Sequence, residues 1–81
     1  MSEHVSAEAV EQLVREVSSW CAEQIMKERR SGVPDAGRLE ALQEELAGCA
    51  ADEQALQDAG EEEVAEIASR YAARLKELKG E

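Results

Sequence analysis

Apolar residues recur along this chain every three or four positions, which is the spacing of one face of an α-helix. The first such stripe has Trp20 beside it and consists of Val10, Leu13, Val14, Val17, Cys21 and Ile25. Ser2 or Ser6 can cap its start, because a serine hydroxyl accepts a hydrogen bond from a free backbone N–H. The pattern predicts a first helix over residues 6–30, with Gly32 as its C-cap.

A second stripe follows Pro34 and alternates steps of three and four residues, as in coiled coils. It contains Leu39, Leu42, Leu46, Cys49 and Leu56. Gly48 weakens a helix at this point by about 1 kcal/mol relative to alanine, and Asp52 could cap a new helix there. One continuous helix over residues 35–58 is the favoured prediction, and a split into two helices is the alternative.

The phase of the apolar stripe shifts by one residue after Gly60, which indicates a break in the chain between two helices. The third stripe consists of Val64, Ala68, Tyr71, Leu75 and Leu78. Three glutamates begin this segment and basic residues populate its second half, as the helix dipole favours. We therefore predict a third helix over residues 61–79.

Three helices joined by short connections predict an all-α fold, since consecutive helices then lie side by side in opposite directions. We predict a single domain over residues 1–81, built as an antiparallel three-helix bundle. The alternative is an extended helical hairpin that completes its core by dimerising.

The hydrophobic core of such a chain is small. Apolar residues make up 43% of the sequence, but 14 of them are alanine, which contributes little buried area. Burial of the larger apolar side chains, at roughly 1.5–3 kcal/mol each, barely offsets the entropy lost on folding. We therefore expect a bound partner or self-association to help stabilise the fold.

The formal net charge of −10 argues against contacts with nucleic-acid phosphates, which require clustered lysine and arginine. Residues 31–60 hold most of the excess, with seven acidic side chains and one basic side chain. A basic protein surface is one candidate partner for this segment. The ordinary alternative is that the acidity keeps a small protein in solution.

The sequence predicts a cytoplasmic location, because it contains neither a signal peptide nor an apolar run of membrane-spanning length. In that compartment Cys21 and Cys49 would be reduced thiols. Both fall on apolar stripes at similar distances from the turn around Gly32, so we expect them to be neighbours in the core. A disulfide or redox pair is the less favoured alternative.

The sequence contains no catalytic motif, and we expect no enzymatic activity. His4 is the only histidine, and it precedes the first predicted helix, where nothing would hold it in a catalytic geometry. A zinc site would lack the usual paired ligands, and a carboxylate-bridged di-iron site would lack its histidines. No metal or other cofactor is therefore predicted.

Together these features favour a small acidic protein-interaction module, such as an adaptor, an antitoxin-like protein or a regulatory subunit. Tryptophan is common at binding hot spots, so Trp20 is the first candidate for binding, although a core position beside the stripe is the favoured interpretation. If Trp20 and Met26 were exposed on the same side, they would mark the interaction face. Glu44, Glu45 and Glu53 are candidates within the acidic middle segment. The alternatives are a self-assembling homodimer and a DNA-mimicking inhibitor of a basic protein.

Overall fold

A computed structural model of the chain describes residues 6–80 and contains three α-helices in that part of the chain. They are α1 (Ala7–Arg30), α2 (Ala36–Leu56) and α3 (Glu61–Leu78). The predicted all-α three-helix bundle is confirmed. No helix among the described residues combines the length and the apolar character needed to cross a membrane.

The helix ends follow from the local sequence. The Ser6 hydroxyl accepts a hydrogen bond from the N–H of Ala9, and the Asp35 carboxylate accepts one from the N–H of Arg38. These contacts satisfy backbone donors that have no partner inside the first turn of a helix.

Two predicted ends need correction. The C-cap of α1 is Ser31, in an extended conformation, and its N–H donates to the carbonyl of Glu28. Gly32 does not adopt the left-handed conformation of a capping glycine, which among the described residues occurs only at Gly80. In addition, α2 ends at Leu56 rather than at residue 58, because the chain enters a turn there.

The second helix is continuous through Gly48 and Asp52, as predicted. The cost of one glycine in a helix is small beside the packing of the apolar residues on either side of it. Asp52 does not act as a helix cap: its carboxylate accepts a hydrogen bond from the Tyr71 hydroxyl of α3. Packing between helices therefore decides the role of this residue.

Helix α1 packs against both other helices, most extensively against α2, whereas α2 and α3 touch over a short stretch. Arg15, early in α1, meets Glu53 late in α2, while Gln24, farther along α1, meets Arg38 early in α2. This reversed order of contacts shows that α1 and α2 run in opposite directions. The predicted antiparallel path of all three helices stays a prediction.

The buried core draws on all three helices. It consists of Val10, Val14, Val17, Cys21, Ile25, Leu42, Cys49, Leu56, Val64, Ile67 and Tyr71. The predicted stripe of α3 omitted Ile67, which is among the most fully buried side chains of the protein. Leu75 and Leu78, which that stripe included, are only partly buried.

The molecule exposes more surface than a compact protein of its size. Its accessible area is 5750 Å², whereas a compact monomer of the same mass would expose roughly 4,800 Å².

Replacing Gly48 with alanine should stabilise the protein by about 1 kcal/mol. Apart from the neighbouring backbone of its own helix, a methyl group at this position would meet no atom within 4 Å, so only the gain in helix propensity should remain. Urea unfolding followed by circular dichroism at 222 nm measures the effect. A loss of stability would contradict the continuous second helix.

Candidate functional site

A groove of about 510 Å³ runs between α1 and α3. Its apolar floor is formed by Trp20, Leu75 and Leu78. Its remaining lining residues are Gln12, Arg15, Glu16, Ser19, Glu23 and Lys79. We refer to this surface as the α1–α3 groove.

The spacing of residues on α1 explains its wall of the groove. Gln12, Glu16, Ser19 and Glu23 recur every three or four positions, so they occupy one face of the helix beside the buried stripe. Trp20 lies at the border between that polar face and the core, against which it packs. An aromatic side chain at this border is partly in the core and partly available to a ligand.

The ring of Trp20 is covered on one side by an arginine of α3. The guanidinium carbon of Arg74 lies 5.6 Å from the centre of the indole ring, within the range of a cation–π interaction. The same guanidinium donates two hydrogen bonds to the Glu45 carboxylate of α2, with N–O distances of 2.6 and 2.8 Å. Arg74 therefore links side chains of α1 and α2 to α3.

The hydrogen bonds to Glu45 raise the pKa of Arg74 above its usual value, although partial burial of the guanidinium opposes this shift. Arg74 also contacts Glu77 on its own helix at 3.1 Å. Its positive charge is thus shared between two carboxylates and is not free to bind another anion.

A second polar contact joins α2 and α3, about one turn before Arg74 in α3. The Tyr71 hydroxyl donates a hydrogen bond of 2.5 Å to Asp52, and Arg70 lies 3.5 Å from the other oxygen of the same carboxylate. Burial, followed by the hydrogen bond to Asp52, raises the pKa of Tyr71. The tyrosine therefore stays protonated and donates this bond throughout the neutral pH range.

Both cysteines are free thiols buried in the core, as predicted. Burial, followed by the nearby Glu45 and Cys49 side chains, raises the pKa of Cys21 to about 11. Burial also raises the pKa of Cys49. Thiols in this environment remain protonated at neutral pH and are poor nucleophiles.

The structure separates the two apolar candidates for binding. Trp20 lines the α1–α3 groove, whereas Met26 is 52% exposed and does not line it. Met26 lies roughly 120° around the axis of α1 from Trp20, since each residue advances about 100°. The two side chains therefore do not form one interaction face.

The three acidic candidates have different surroundings. Glu45 is held by Arg74, and Glu53 accepts a hydrogen bond of 3.2 Å from Arg15. Glu44 is exposed and forms no ion pair with another described residue. Two of the three thus connect helices within the protein, and only Glu44 is free to meet a partner.

Four residues of the groove were not predicted from the sequence to bind a partner: Leu75, Leu78, Glu16 and Glu23. The two leucines belong to the apolar stripe of α3 and were assigned to its core. Two features of the sequence could have indicated their role in the groove. The leucines lie beyond Tyr71, at the end of the helix, and a tryptophan lies outside the strict stripe of α1. Their joint exposure depends on how α1 and α3 pack.

Within residues 6–80, no group of three or more histidine, cysteine or acidic side chains is arranged to hold a metal ion. His4 lies outside the described residues. Searches against models of known protein families, curated proteins and solved structures find no match to this chain.

The Arg74–Glu45 pair should contribute more to stability than the Arg15–Glu53 pair, which also joins two helices. A double-mutant cycle with Arg74→Gln and Glu45→Gln should give a coupling energy of about 1 kcal/mol, because the contact is bidentate. The matched cycle with Arg15→Gln and Glu53→Gln should give about 0.3 kcal/mol, since that contact has one hydrogen bond and is more exposed. Urea unfolding measures both energies, and equal coupling would contradict a special role for Arg74.

The stability of the fold should decrease as the pH rises from 9 to 11. The Cys21 thiol has an ordinary pKa of 9.0 when exposed and one of about 11 when folded. The unfolded chain therefore loses this proton first, which favours unfolding in that range. Cys21→Ala should lose less stability than the wild type between pH 9 and pH 11, and both should behave alike from pH 7 to pH 8. Urea unfolding across this range is the measurement, and identical profiles would refute the assignment.

Proposed function

We propose that this protein is a small acidic interaction module, of the adaptor, antitoxin-like or regulatory-subunit type, that binds a protein partner through the α1–α3 groove. The observation that carries the proposal is the apolar floor formed by Trp20, Leu75 and Leu78. A concave surface with an aromatic anchor at its base and polar residues at its edges has the composition of a binding hot spot.

The partial exposure of the three floor residues supports the same function. A partner in the groove would cover the exposed parts of the three floor residues, and their burial would add to the stability of a fold with a small core.

The arrangement of the charged groups favours binding over catalysis. The arginines that lie closest to carboxylates, Arg15 and Arg74, are engaged in contacts between helices. The buried thiols are protonated and covered. We therefore assign these polar groups to the stability of the bundle, and we assign the groove to recognition.

A homodimer through the same groove is the second candidate. Each copy has a net charge of −10, so two copies repel one another at long range. A different protein without this excess of negative charge avoids the repulsion, and for this reason we favour a foreign partner.

Leu78→Gln should weaken capture of the partner from extracts of the source cells by about tenfold, because it removes apolar contact area from the floor of the groove. Met26→Gln is the matched control: it makes a comparable neutral change at an exposed position outside the groove, and capture should be unchanged. Quantitative mass spectrometry of the retained proteins is the measurement, with circular dichroism to verify folding.

Two results would contradict the proposal. One is equal capture by the Leu78→Gln and wild-type proteins. The other is a wild-type protein that sediments as a stable dimer and becomes monomeric on Leu78→Gln, since the groove would then serve self-association.

A further inference from the structure

The walls of the α1–α3 groove differ in charge. Glu16 and Glu23 lie on the α1 wall, and neither forms an ion pair with another described residue. Arg15 lies on the same wall, but its guanidinium is paired with Glu53 at 3.2 Å and with Glu11 at 3.8 Å. The α1 edge therefore presents two uncompensated negative charges, while the α3 side contributes Lys79.

The two free carboxylates are regularly spaced. Glu16 and Glu23 are seven residues apart, which places them on the same side of α1 about 10 Å apart along its axis. A second helix lying along the groove repeats the same distance between its own positions i and i+7. Two basic residues at that spacing could therefore pair with both glutamates at once.

The dimensions of the groove also suit a helix. The groove extends along α1 from Gln12 to Glu23, a distance of about 16 Å or three helical turns. Three turns of an amphipathic helix present apolar side chains at positions i, i+3 or i+4, and i+7, which is the usual pattern of helix-in-groove recognition. Trp20, Leu75 and Leu78 would meet those apolar side chains.

Building on the proposed function, we infer that the groove binds a basic amphipathic helix of another protein, with lysine or arginine at positions i and i+7 facing Glu16 and Glu23. Charge complementarity selects this occupant. The whole chain attracts a basic segment at long range, because its net charge is −10, and the free glutamates on the α1 wall orient that segment once it reaches the groove.

The test uses the 81-residue chain and two synthetic peptides of 18 residues without tryptophan. One peptide contains leucine and lysine, and the other contains leucine and glutamine in the same helical pattern. Trp20 is the only tryptophan of the protein, so its fluorescence reports directly on the groove. The leucine–lysine peptide should shift the Trp20 emission in a saturable manner, and the leucine–glutamine peptide should bind more weakly.

Reversing the charge of both glutamates, as Glu16→Lys with Glu23→Lys, should weaken binding of the leucine–lysine peptide by at least about tenfold at 150 mM salt. The matched control is Glu40→Lys with Glu66→Lys, which makes the same change in net charge on exposed positions of α2 and α3 that do not line the groove. Its affinity should stay within about twofold of the wild type, because those charges lie outside the groove and are screened.

Several results would overturn the inference. Equal weakening by the two double variants would show that only net charge matters. Tighter binding of the leucine–glutamine peptide would leave the groove as a binding site but refute its preference for a basic helix. If neither peptide alters the Trp20 emission, and Leu78→Gln captures the same proteins as the wild type, the proposed function fails as well.

Discussion

The contact of Arg74 with Glu45 and Trp20 joins the three helices at one point. Helices α2 and α3 touch over only a short stretch, so few apolar contacts hold them together directly. The bidentate ion pair between Arg74 and Glu45 bridges this gap, while the stacking of the same guanidinium on Trp20 positions the indole beside Leu75. The arrangement of the groove floor thus depends on a polar contact behind it.

The Arg74–Glu45 ion pair therefore affects both the stability of the bundle and the shape of the binding surface. An apolar side chain is a good anchor for a partner when its orientation is already restricted, because less entropy is lost on binding. The Arg74 guanidinium restricts Trp20 on one side and leaves its other parts directed toward the groove. The uncompensated glutamates on α1 lie next to this anchor, so apolar and electrostatic recognition act on the same surface.

The helices and most of the core were predictable from the sequence, because apolar spacing and capping residues act locally. The prediction missed Ile67, since a stripe drawn through Ala68 and Tyr71 is also consistent with helical spacing. The correct face depends on where α1 and α2 lie around α3. The interruption that Gly48 and Asp52 suggested does not occur, because packing of the flanking apolar residues outweighs a weak local preference.

The candidate site was less predictable. Trp20 could be identified from its residue type and its place beside the stripe. The roles of Glu45 and Glu53 could not be identified from the sequence, because their arginine partners are 29 and 38 residues away. The glutamates contact these arginines only because of the register in which the helices pack. The same register leaves Leu75 and Leu78 half-exposed and brings them to Trp20.

The most direct test is to map by NMR which residues respond when the leucine–lysine peptide is added to the isotopically labelled protein. The account predicts that the largest chemical-shift changes occur at the Trp20 indole, the Leu75 and Leu78 methyl groups, and the backbone amides of Glu16 and Glu23. Changes confined to the exposed face of α2 around Glu40 and Glu44 would contradict it.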